Sequence, residues 1–95
     1  MDLGLKGRVV IVTGAASGIG KAVAEAYAKE GAYLALADIN LEGLKALKED
    51  LKGTEVYVER VDVTSEGDCK AFISNVAAQF GKIDVLVNNA GTALI

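Results

Sequence analysis

The 95-residue chain contains no histidine, no proline and no tryptophan, and it has one cysteine, Cys69. Without histidine and with a single thiol it offers no ligand cluster for a transition metal and no imidazole to activate Cys69 as a nucleophile. A lone cysteine also excludes an internal disulfide, so a reducing, cytoplasmic setting is expected. No apolar run approaches the roughly 20 residues of a membrane span, and the amino terminus has no basic segment leading into a hydrophobic stretch. A soluble protein without membrane partners is expected. A basic excess is missing too: ten Lys and Arg are interleaved with thirteen Asp and Glu, for a net charge of −3. That balance argues against a nucleic-acid surface. No repeat, low-complexity tract or linker divides the chain, so residues 1–95 read as one unit with modest stability, because a small chain buries a smaller share of its surface.

What is present alternates. Apolar segments at 8–13, 33–38, 55–61 and 83–88 read as strands, and three amphipathic segments between them read as helices, the pattern of an α/β fold with a parallel sheet. The first helix is expected from Gly18 to Glu30, with Ile19, Val23, Ala26 and Tyr27 on its inner face and Gly31 ending it. Asn40 is a plausible cap for a second helix with a Leu41, Leu44, Leu47, Leu51 stripe. A third begins after Ser65, with Asp68 completing a weak capping box, and carries Phe72, Ile73, Val76 and Phe80 inward to Gly81. Glu55, Glu59 and Arg60 make the third strand partly polar, as at a sheet edge, whereas Ile83-Asp84-Val85-Leu86-Val87 is nearly all apolar and reads as central. Right-handed crossovers then give the order 3-2-1-4, with the first two helices on one face and the third on the other. That order leaves the fourth strand at a margin.

The first strand runs directly into Thr13-Gly14-Ala15-Ala16-Ser17-Gly18-Ile19-Gly20. Gly14 permits a sharp turn, Gly18 and Gly20 carry no side chain to keep a ligand or the strand at a distance, and the first turn of the helix presents N–H groups and the positive end of its dipole. The segment is a candidate anion seat, suited to the phosphates of a dinucleotide. It does not match the general Gly-x-Gly-x-x-Gly fingerprint, since position 23 is valine. Asp38 ends the second strand 18 positions after Gly20, near the roughly 20-residue offset at which an acid meets the adenosine ribose. Its charge would repel the 2′-phosphate of NADP, and Ile39, Asn40 and Leu41 supply no cation to offset it, so NAD is expected rather than NADP.

The spacing Gly-x-x-x-Gly-x-Gly behind Thr13, together with Asn88-Asn89-Ala90-Gly91, resembles the short-chain dehydrogenase/reductase family from about Lys6 to Gly91. The resemblance implies half of a doubly wound Rossmann-type sheet, the amino-terminal part of one dinucleotide-binding domain. It implies that Gly14, Ser17, Gly18, Ile19 and Gly20 line the pyrophosphate seat, with Ser17 where NADP-using relatives often carry a base. It further implies that Asp62 and the Val63 amide meet the adenine edge, that Asn88 braces the sheet through Thr13, and that Ala90 and Gly91 border the riboses.

Members of that family move hydride between the nicotinamide and an alcohol or ketone, using a tyrosine, a lysine four residues later and a serine. Here Tyr27, Tyr33 and Tyr57 are followed four positions on by Gly31, Ala37 and Val61, so no residue of the chain is assigned a catalytic role. The expectation is the NAD-binding portion of an oxidoreductase for a small-molecule alcohol or ketone, inactive as these 95 residues alone and homo-oligomeric as a dimer or tetramer. Thr92-Ala93-Leu94-Ile95 departs from the Ile-Thr-Arg-Asp often seen in reductases of acyl-carrier-bound ketones, which favours a small alcohol, sugar alcohol or steroid-like substrate. The alternative is a self-standing adenine-nucleotide-binding module that dimerises through strand 83–88 without catalysis.

Overall fold

The computed structural model describes residues 4–90. Strands β1 (Val9–Thr13), β2 (Tyr33–Asp38), β3 (Val56–Arg60) and β4 (Val85–Asn88) alternate with helices α1 (Gly18–Lys29), α2 (Leu41–Asp50) and α3 (Glu66–Phe80). All strand pairs are parallel and the order is β3-β2-β1-β4, as expected from the sequence.

β1 is wholly buried because it is central and covered on both faces. Val10 and Val12 enter the layer formed with α1 and α2, alongside Ala24, Leu34, Leu36, Leu44 and Leu47. Val9 and Ile11 enter the opposite layer, with Ala35, Ala37, Phe72 and Val76 beneath α3. The continuous apolar run of β1 is thus the signature of a strand with no solvent face. β4 is different: Val85 and Val87 pack against the first layer, whereas Leu86, in register with Ile11, is 49% exposed.

Three local expectations are corrected. The inner face of α1 is Gly20, Val23, Ala24, Tyr27 and Ala28, while Ile19 (74% exposed) and Ala26 point outward. Counting from Ile19 set the phase one residue early, because the helix must put its glycine, not its isoleucine, against the strand. β4 begins at Val85 rather than 83. Asp84 just before it accepts the Val9 amide on Oδ2 at 2.8 Å and pairs with Lys82 at 3.1 Å and Arg8 at 3.4 Å. The capping box of α3 is half formed: Ser65 Oγ accepts the Asp68 amide at 3.1 Å, but the Asp68 carboxylate accepts the Asp62 amide at 3.0 Å instead of returning to the cap. α2 is capped as expected, by Asn40 Oδ1 on the Gly43 amide at 3.0 Å.

Candidate functional site

The carboxyl ends of the four strands gather the turn after Thr13, the acid Asp38, the segment from Val61 and the residues after Asn88. In an open parallel sheet this end is where connecting loops form a crevice.

Gly14 turns the chain with φ +63°, and a side chain there would press on Asn89 Nδ2 at 3.1 Å and Ala90 Cα at 3.5 Å. At Gly20 an added Cβ would lie 2.1 Å from the Gly14 carbonyl oxygen, so the start of α1 can seat against the turn only as glycine. Gly18 is unlike both. Nothing in the described chain lies within 4 Å of a Cβ built there, so its bareness serves no internal packing. It leaves an open cradle above the helix start. Ser17, the N-cap of α1, makes no side-chain cap bond; its hydroxyl donates to the Gly14 carbonyl at 3.1 Å. The first-turn amides, which have no intrahelical partner, therefore receive no side-chain cap from Ser17 and present donors at the positive end of the dipole. This donor set and cradle fit a phosphate.

Beside the turn lies a cavity of about 240 Å³ lined by Gly14, Asp38, Ile39, Val61, Asp62, Val63 and Ala90. Asp38 accepts the Ala16 amide on Oδ2 at 3.0 Å and the Asn40 amide on Oδ1 at 2.9 Å. A carboxylate has about four acceptor positions, so lone pairs remain for further donors such as ribose hydroxyls. Asp62 accepts both the Thr64 hydroxyl (2.6 Å) and the Thr64 amide (2.9 Å) on Oδ1. These bonds, the hydroxyl's first, hold the Asp62 carboxyl below its ordinary value. Ile39 (56% exposed), Val61 and Val63 give the cavity an apolar lining between the two acids. One acceptor-rich end and one apolar slot fit an adenosine.

Thr13 Oγ1 donates to Asn88 Oδ1 at 3.0 Å and accepts the Ala90 amide at 3.2 Å, tying the ends of β1 and β4 together. The structure thus brings Gly14, Ser17, Gly18, Gly20, Asp38, Asp62, Val63, Asn88 and Ala90 to one end of the sheet, with Ile19 exposed at the rim. Gly91 and the 92–95 segment lie outside the described residues.

Cys69 is buried beneath this rim, and its thiol donates to the Val63 carbonyl at 3.6 Å; burial pushes the thiol up. Ile39 and Asn89 were not read from the sequence as site residues. Ile39 carried a usable signal, an apolar side chain in the first position after a strand-ending acid. Asn89, whose Nδ2 donates to the Gly14 carbonyl at 3.4 Å, carried a signal only as a member of the Asn88-Asn89-Ala90-Gly91 segment, since asparagine after a strand by itself usually signals only a turn.

The family model of the short chain dehydrogenases matches residues 8–94. The chain belongs to that family. It is 48% identical over 94 residues to a D-threitol dehydrogenase from Mycolicibacterium smegmatis, covering 97% of this chain and 36% of the relative. It is 50% identical over 90 residues to an 11-beta-hydroxysteroid dehydrogenase-like protein of Arabidopsis thaliana, covering 92% of this chain and 26% of the relative. Its fold superposes on the crystal structure of a short-chain dehydrogenase/reductase from Burkholderia phymatum in complex with NAD with a TM-score of 0.84. That match has 36% identity and covers 86% of this chain and 30% of the other. The chain therefore spans between about a quarter and about a third of the length of these relatives.

Proposed function

We propose that the chain is the NAD-binding portion of an oxidoreductase acting on an alcohol or ketone. The observation that supports this reading is one cavity at the carboxyl end of the sheet, lined by Gly14, Asp38, Asp62 and Val63, with the bare Gly18 at the start of the helix that follows the turn. Gly14, Ser17, Gly18, Ile19 and Gly20 hold the pyrophosphate, Asp38 the adenosine ribose, and Asp62 with the Val63 amide the adenine edge. Asn88 braces the strand ends, and Ala90 and Gly91 border the riboses. NAD supplies the hydride acceptor; these residues bind and orient it.

NAD is preferred over NADP because Asp38 places a negative charge where a 2′-phosphate would sit, with Ile39, Asn40 and Leu41 beside it. The Burkholderia structure in complex with NAD supports the same choice. The relatives named for D-threitol and for 11-beta-hydroxysteroids support an alcohol substrate. Hydride transfer also requires a proton donor and acceptor, and the chain has no Tyr-x-x-x-Lys pair. The 95 residues alone therefore bind cofactor without turnover, and the oxidoreductase of which they are a portion is a cytoplasmic homo-oligomer.

Titration calorimetry with NAD, paired with an assay for NAD reduction by polyols and hydroxysteroids, tests this reading. Binding without turnover is expected from the 95-residue chain. Turnover abolished by changing one of its own residues would contradict the division of labour. The exposed Leu86 beside the β4 edge favours a second reading, a catalytically silent module that pairs through β4, for which sedimentation would show a dimer of the 95-residue chain.

A further inference from the structure

Asp38 has two partners that the reading of ribose does not require. Its Oδ2 accepts the amide of Ala16, in the middle of the glycine turn, and its Oδ1 accepts the amide of Asn40, at the cap of α2. The carboxylate thus bridges the β1–α1 turn and the β2–α2 junction. A second contact joins the same two loops: a Cβ built on Gly43, in the first turn of α2, would lie 2.9 Å from the Ala16 Cβ and 2.8 Å from Asn40 Nδ2. The remaining amides of the turn are also committed, Ala15 to the Ala37 carbonyl at 3.2 Å and Ser17 to the Gly14 carbonyl at 3.4 Å.

We infer that Asp38 is a positioning residue for the phosphate seat as well as an acceptor for ribose, and that Gly43 acts with it by letting α2 close on Ala16. This inference rests on the dinucleotide reading above. Its physical content is preorganisation. With the amides of Ala15, Ala16 and Ser17 directed at the end of β2 and at Gly14, those of Gly18 to Gly20 are left for a phosphate, and a ligand does not have to order the turn on arrival. Ribose recognition and phosphate recognition are therefore coupled through one carboxylate.

The test uses ligands that cannot touch Asp38 through ribose hydroxyls, namely 2′,3′-dideoxyadenosine and its 5′-diphosphate, titrated into the protein and its variants with NMR or calorimetric detection. Asp38→Ala is expected to weaken the diphosphate by about fivefold or more, the lower end of coupling between sites, while leaving the dideoxynucleoside unchanged. The expected direction is informative, because removing a negative charge near a phosphate would by itself strengthen binding. Asp38→Asn, equal in charge to Asp38→Ala but retaining an oxygen acceptor for Ala16, should recover part of the loss.

Gly43→Ala, remote from the ribose, should also weaken the diphosphate selectively, and it decides the matter if Asp38→Ala does not fold. Asp38→Ala binding the dideoxy diphosphate as tightly as the wild type would overturn the inference. Failure of the wild type to bind either the diphosphate or NAD would instead sink the dinucleotide reading on which it rests.

Discussion

Thr13 and Asn88 face each other in register across β1 and β4, and one hydroxyl serves both strand ends, donating to Asn88 Oδ1 at 3.0 Å while accepting the Ala90 amide at 3.2 Å. Thr13 is wholly buried, so Thr13→Val keeps the shape but removes the hydroxyl's bonds to Asn88 Oδ1 and the Ala90 amide. The expected cost is about 1 kcal/mol of stability, with Thr13→Ser losing less. Urea denaturation of the two variants measures it; equal stability of Thr13→Val and wild type would mean the hydroxyl is not the brace.

Gly18 and Gly20 are two residues apart and should respond oppositely. Gly20→Ala drives a methyl into the Gly14 carbonyl oxygen and should destabilise the protein by about 1–3 kcal/mol, the cost of overpacking. Gly18→Ala meets open space and gains helix propensity, so its thermal midpoint should be unchanged or slightly raised. Equal destabilisation by both would contradict the packing account of the turn.

The order of strands and the side of the sheet that each helix covers were legible because they follow from topology. Apolar runs and glycine stops fixed the alternation, and right-handed crossovers left one arrangement. What was not legible depended on side chains serving a neighbour. Asp68 has the spacing of a capping box, yet the Asp62 amide, brought close by the loop before α3, takes its carboxylate. Asp84 falls inside the strand expected over 83–88 and is instead the anchor before it. Asp38 was legible as an acid ending the second strand near the glycine turn, but its bond to Ala16 depends on how closely two loops approach, which no spacing encodes.

Asp84 predicts a pH dependence. Its bond from the Val9 amide, with Lys82 and Arg8 nearby, holds its carboxyl below the ordinary 3.8. A group depressed in the folded state stabilises fully above its unfolded value and loses that contribution as pH falls through the folded one. The stabilisation should therefore be intact at pH 7 and fade below about pH 4. Asp84→Asn should be less stable than wild type at neutral pH, and the gap should narrow at pH 3. A gap that is constant with pH would show that the charge is not involved.

Asp38 predicts cofactor selection. Replacing it by asparagine removes the charge opposing a 2′-phosphate, so the preference for NAD over NADP should fall by on the order of tenfold, or about 1.4 kcal/mol. Dissociation constants for both dinucleotides against wild type and Asp38→Asn give the ratio directly. A ratio that does not move would remove Asp38 as the selector.

The central claim is that the turn from Thr13 to Gly20 holds the phosphates of a dinucleotide, and it is tested most directly by titrating NAD into the wild type and into Gly18→Val, with folding of both verified by thermal denaturation. No described residue outside its own helix lies where a side chain at Gly18 would go, so the variant should fold while its branched side chain fills the cradle. The account predicts saturable NAD binding by the wild type and a loss of at least about tenfold in the variant, or about 1.4 kcal/mol. Undiminished NAD affinity in a folded Gly18→Val protein would contradict it.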